Sequence, residues 1–154
     1  MHILKRVLFP LILVGISFTA CSPGGPLTPN RAFEDVKQAF VAKDGPALYR
    51  LLSKEGQKKV DAMAADLAGL KGAQQQRVAR HYGLTPEKMK NLTGRTFASL
   101  YLEREAKGVL GKALARKVVN REHKGKRALI LLEGGPSLLF VQEGPYWRFD
   151  LKGL

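Results

Sequence analysis

The sequence predicts an α+β domain in which N-terminal helices pack on a C-terminal antiparallel β-sheet of about four strands. Three observations carry this. Apolar residues recur at helical spacing from Phe33 to Tyr101, short apolar runs separated by Gly and Pro fill the chain from about Ala113 onward, and the helical part precedes the strands rather than alternating with them. A chain of 154 residues, 45% of them apolar, has the size and composition of one globular domain with one core.

The elements follow in order. Thr28-Pro29 is a cap followed by Pro at the first helical position, and Phe33, Val36 and Phe40 then keep one face until Asp44-Gly45-Pro46, so a helix is expected over about 29–43. A short second helix carries Leu48, Leu51 and Leu52. Ser53 can cap a third, in which Val60, Met63, Ala64, Leu67 and Leu70 form one stripe. Residues 73–82 can extend the helical half with little to bury. Thr85-Pro86 repeats the cap-plus-proline start, and Phe97, Leu100 and Tyr101 mark a helix running to about Gly108. Val118 and Val119 lie in a first strand, Asn120–Gly125 reads as a hairpin turn, and Ala128–Leu132 is an all-apolar second strand. Gly134-Gly135-Pro136 turns into Ser137–Gln142, and Gly144-Pro145 turns into Tyr146–Leu151. The alternation of the last strand puts Trp147, Phe149 and Leu151 on one face and Tyr146, Arg148 and Asp150 on the other.

Residues 1–20 stand apart from this domain. Lys5 and Arg6 precede an apolar run from Val7 to Ile16, which contains Pro10 and falls short of the roughly 20 residues that a membrane-crossing helix needs, so the stretch reads as a secretory signal peptide. Phe18-Thr19-Ala20-Cys21 resembles the lipobox of bacterial lipoproteins, in which the cysteine thiol takes a diacylglycerol and becomes the acylated first residue; Phe18 stands where most members have Leu. The resemblance implies lipidation, palmitate included, at Cys21, the only cysteine of the chain. The alternative is an ordinary secreted protein with a spare thiol, which an oxidising compartment disfavours. Ser22, where an Asp commonly signals retention at the inner membrane, implies an outer-membrane anchor facing the periplasm if the cell is Gram-negative. Residues 21–28, rich in Pro and Gly, read as a flexible tether, leaving 29–154 as the single α+β domain.

Within that domain Ala32-Phe33, Phe40, Lys43-Asp44-Gly45, Leu48–Ser53 and the terminal Gly144–Leu151 resemble small bacterial lipoproteins related to the NTF2-like superfamily. The resemblance covers about 29–53 and 117–151. It implies helices covering a curved antiparallel sheet to form a cone-shaped cavity, which catalytic members furnish with an Asp, His or Tyr. A different helix-on-sheet arrangement is the rival.

No catalytic residue is expected here. Of three histidines His2 lies in the signal, while His81 and His123 read as solvated surface groups; no HExxH, GxSxG, phosphate loop or GxGxxG occurs. The acidic residues are scattered among Lys and Arg, so no metal or other cofactor is expected. One cysteine excludes an intrachain disulfide and a CxxC site.

Charge is the more informative feature. The chain carries 26 Lys and Arg against 13 Asp and Glu, a net +13. Without Lys5 and Arg6 the remainder is +11, and residues 71–127 hold 15 basic against 4 acidic residues, which is the whole excess. From this segment Lys71, Arg77, Arg80, Lys88, Lys90, Arg95, Arg116, Lys117, Arg121, Lys124, Lys126 and Arg127 are the candidate anion-facing residues. A one-signed field attracts polyanions. Behind a secretory signal these are anionic lipid, lipopolysaccharide or cell-wall polymer rather than nucleic acid, and a high pI that serves solubility alone is the bland alternative. The sequence thus leads to a lipid-anchored, non-catalytic binding or structural module of the cell envelope, attached to the membrane through Cys21. Its alternatives are a protein that binds a small molecule in the cone and, less favoured, an enzyme with an acid–base residue there.

Overall fold

The structure, a computed structural model, describes residues 24–105, 108–135 and 137–152. Helices come first and a four-stranded antiparallel sheet follows, as the α+β reading expects. Helix α1 (Pro29–Val41) starts where Thr28 Oγ1 accepts the Arg31 N–H at 3.2 Å, and it buries Ala32, Phe33, Val36 and Ala39. It stops at Ala42. Lys43 then takes a left-handed conformation (φ 54°), and Asp44 caps α2 (Gly45–Leu51) by accepting from Ala47 N at 2.9 Å. Gly45 sits where α2 crosses α6 so closely that a Cβ would collide with the Ser99 backbone, which is why glycine stands there.

Helix α3 (Lys54–Gly69) is joined to the sheet at its first residue. Ser53, 1% exposed, accepts from Gly56 N through Oγ at 3.0 Å while its own N–H donates to Phe149 O at 2.8 Å, and Leu52 forms a bridge to Phe149. Helix α4 (Gly72–Tyr82) ends in Gly83 at φ 64°. Beyond it the structure departs from the expected single helix over 85–108. Helix α5 (Pro86–Lys90) ends at Asn91, α6 (Gly94–Glu105) begins anew, and α7 (Val109–Leu114) occupies a stretch with no sequence expectation. The break has a local cause: Thr93 Oγ1 accepts from Thr96 N at 3.3 Å while Thr96 Oγ1 accepts from Thr93 N at 3.0 Å. This reciprocal cap starts a helix where apolar spacing alone reads as continuous.

The strands β1 (Val118–Lys124), β2 (Arg127–Leu132), β3 (Leu138–Glu143) and β4 (Tyr146–Asp150) lie side by side in chain order. The first turn is shorter than expected. Asn120–Lys124 belong to β1 and only Gly125-Lys126 turn, because Gly125 supplies the positive φ (58°) that a two-residue connection needs. Gly144-Pro145, with Gly144 at φ 61°, repeats this between β3 and β4, so both hairpin tips lie at one end of the sheet. Alternation sends Ala128, Ile130, Leu132, Leu138, Phe140, Trp147 and Phe149 to the helix side, and all are buried. Each large one contributes about 1.5 to 3 kcal/mol through burial.

The sheet curls toward that side. Three inter-strand steps would hold β1 and β4 about 14 Å apart in a flat sheet, yet the His123 and Trp147 rings meet at 5.2 Å. Phe33, Phe140 and Phe149 fill the inner face, with Phe33 edge-on to Phe140 at 6.5 Å. Helices α1, α2 and α3 pack against β4, whereas β1 is an exposed edge whose charged residues and bulge between Val118 and Asn120 discourage further pairing.

The expected tether divides. Residues 21–23 lie outside the described residues, and Gly24–Leu27 run along β4: Trp147 N donates to Pro26 O at 2.8 Å, Arg148 donates to Gly24 O at 3.0 Å, and Pro26 is buried. No helix among the described residues is long and apolar enough to cross a membrane.

Candidate functional site

Cys21 and the whole of 1–20 lie outside the described residues. The twelve candidate cations are described, and folding divides them. Lys71, Arg77 and Arg80 sit at the start of and along α4, Lys88 and Lys90 on α5, and Arg95 in the first turn of α6; all are exposed. Helix α4 packs on α5, which packs on α3. Because α3 leaves the sheet at Ser53 and runs 16 residues, a length of about 24 Å, Lys71 lies at the far end of the helical half.

The second group surrounds the β1–β2 hairpin. Arg121 and Lys124 lie on β1, Lys126 in the turn and Arg127 at the start of β2, all exposed, with Lys117 just before β1. Glu122 is the one acidic residue in this hairpin. Lys124 pairs with Arg127, Arg127 with Val141 and Val141 with Arg148, so three cations share one row on the outer face of the sheet. The ion pairs among the described residues, Arg31–Asp35 at 2.8 Å and Lys58–Glu55 at 3.1 Å, involve none of the twelve.

Arg116 does not join either group. Half-buried, it turns its guanidinium onto the carbonyls of Glu133, at 3.1 Å, and Gly134, so it closes the β2–β3 connection and offers no free cation. Arg80 is partly engaged as well, with Nε donating to Gln76 O at 3.4 Å. The twelve candidate cations are therefore two groups, one on the helices and one on the hairpin, and one structural arginine.

The alternation of the last strand places Arg148 on its outer face and assigns it no partner. In the structure it donates to Arg50 O at 2.7 Å and to Gly24 O and lies 5.5 Å from the Tyr146 ring, so it binds the segment before α1 to the β4 edge. No local pattern marks such a residue, because its partners lie 98 and 124 positions away in the chain.

Two hollows remain. A broad, open groove of about 770 Å3 lies between residues 24–28, α1 and α2, with Arg31, Asp35, Asp44, Arg50 and Arg148 on its walls. Burial raises the Asp35 carboxyl above its ordinary pKa, against the opposing pull of Arg31. A smaller cavity of about 280 Å3 between α3, α6 and α7 is lined by Val60, Met63, Phe97, Tyr101, Val109 and Leu151, with Lys59 as its charged residue. Neither hollow is the mouth of the curled sheet, whose inner face is packed with aromatic rings.

Among polar side chains, Tyr49 donates to both Asp61 oxygens, at 3.0 and 2.9 Å; burial first, then this hydrogen bond and the Asp61 charge, raise its phenol pKa. His81 stands edge-on to Tyr82 at 5.2 Å and is exposed, and His123 caps Trp147. The described residues contain no group of three His, Cys, Asp or Glu placed to hold a metal ion. No protein-family model matches the chain, and neither the curated proteins nor the solved structures yield a match.

Proposed function

We propose that the chain is a lipoprotein of the bacterial cell envelope, held at a membrane through an acylated Cys21 and acting as a non-catalytic binding or structural module. The observation that carries this reading is Phe18-Thr19-Ala20-Cys21 directly behind a basic n-region and a short apolar run, with the cysteine the only one in the chain. Acylation consumes the single thiol, and several acyl chains anchor stably where one does not. The exposed, ion-pair-free cations support a role against an anionic envelope component, since about 1 kcal/mol per cation is available close to such a surface. A likeness to NTF2-like lipoproteins, and an outer-membrane, periplasm-facing location in a Gram-negative cell, belong to the same proposal.

The test is metabolic labelling with a fatty acid in a bacterial host. The wild-type chain takes up the label and sediments with membranes, and Cys21→Ser takes up none; a variant labelled as well as the wild type would end the lipoprotein reading.

A second reading rests on the 280 Å3 apolar cavity. Its size is just under the roughly 300 Å3 at which ligand sites begin, and its apolar walls with Lys59 suit a small apolar acid. This small-molecule site would lie between helices and not in a cone. Filling it by Ala98→Leu should abolish enhancement of an anilinonaphthalene sulfonate probe; unchanged enhancement would remove this reading.

A further inference from the structure

We infer that the β1–β2 hairpin, and not the α4–α5 surface, is the part of the domain that rests on the anionic phospholipid surface around the anchor; this rests on the acylation of Cys21 proposed above. Three peptide steps separate Cys21 from Gly24, a span of at most roughly 11 Å, and at Gly24 the chain is already tied to the sheet by Arg148. Two residues on, Pro26 O accepts from Trp147 N. The Trp147 ring meets the ring of His123 at 5.2 Å, and His123 precedes Lys124. A series of direct contacts thus leads from Gly24 to the residue before Lys124.

The topology agrees. In this meander the Gly125-Lys126 and Gly144-Pro145 turns share one end of the sheet, with Gln142 N donating to Lys126 O at 2.8 Å between them. That same end receives the segment carrying the anchor. Its charge suits a layer of phosphate headgroups: Arg121, Lys124, Lys126 and Arg127 are exposed, opposed locally by Glu122 and by Glu143, whose carboxylate is occupied by the Lys54 N–H at 2.8 Å. Leu27, 67% exposed beside Pro26, adds an apolar contact at the same pole. Lys71 follows the 16 residues of α3, a length of about 24 Å, and Lys88 and Lys90 stand on α5, which packs on α3 and α4.

The experiment uses the acylated full chain in vesicles of phosphatidylglycerol or phosphatidylcholine, with a nitroxide attached at Lys126→Cys or at Lys88→Cys; acylated Cys21 takes no label. Both positions are exposed, so labelling leaves the core intact. On phosphatidylglycerol the label at 126 should lose collisions with a water-soluble nickel chelate several-fold and regain them at high salt, while the label at 88 stays open. Arg121→Gln with Lys124→Gln and Arg127→Gln should weaken this shielding by roughly fivefold for each cation removed, without releasing the anchored protein. Equal exposure at 126 and 88 on an acylated chain overturns this inference and leaves the anchor standing, as does shielding of 126 by added cell-wall polymer and not by lipid. A chain whose mass shows Cys21 unmodified overturns both.

Discussion

The two edges of the sheet have opposite characters. Strand β4 receives α1, α2 and α3 on its inner face and the segment from Gly24 to Leu27 along its side, and it buries Trp147, Phe149 and even Asp150, whose carboxylate accepts the Lys152 N–H at 2.9 Å. Strand β1 is hydrogen-bonded to β2 alone and exposes every residue after Val118, three of them charged. One edge assembles the domain, and the other is free to be chosen for what it touches. A cation on β1 therefore carries no structural duty, in contrast with Arg148 on β4 or Arg116 at the β2–β3 turn, each committed to backbone carbonyls.

Substitutions at the two edges should differ in their cost to stability. Phe149→Ala should cost about 3 to 5 kcal/mol, because the ring is wholly buried at the junction of α3, β3 and β4. Val119→Ser on β1, where the side chain is 60% exposed, should stay within about 0.5 kcal/mol. Both are read from the midpoint of chemical unfolding, and equal losses would erase the distinction between the edges. Gly45→Ala comes next, at about 1 to 3 kcal/mol, since the new methyl must push α2 away from the Ser99 backbone. Ser53→Ala removes the buried cap that joins α3 to β4 and should lower stability by about 1 to 2 kcal/mol, visible as a lower Tm.

The smallest effect is a pH dependence on the β4 side. Because the folded protein raises the Tyr49 pKa above 10.0, the part of stability that depends on the protonated phenol is complete below that value and is lost as pH rises through the folded pKa. Asp61→Asn should move the phenolate absorbance of Tyr49 to lower pH and shift the alkaline loss of stability with it. An unchanged titration would mean that the Tyr49–Asp61 hydrogen bond does not govern the phenol.

Much of the fold is legible in the residues because its signals are local. Thr28-Pro29, Ser53 and Thr85-Pro86 cap helices where they stand, Ala128–Leu132 and the Trp147, Phe149 alternation announce strands, and Gly144-Pro145 turns the chain. What escapes is set by partners distant in sequence or by short-range exchange of hydrogen bonds. The Thr93–Thr96 cap divides an otherwise continuous helical pattern, and α7 is too short to show a period. The stretch Gly24–Leu27 has the composition of a free tether, yet the backbone of Trp147 and the side chain of Arg148 hold it. The basic run 71–127 is contiguous in the chain and divided in the fold, since one half stands on α4, α5 and α6, packed on α3, and the other on the β1–β2 hairpin.

Attachment through Cys21 is decided by the intact mass of the protein purified from bacterial membranes. Acylation requires a chain beginning at Cys21 and carrying a diacylglycerol, with or without a further acyl group on its amino terminus. A mass that matches an unmodified polypeptide, with a thiol that still reacts with alkylating reagents, would contradict it.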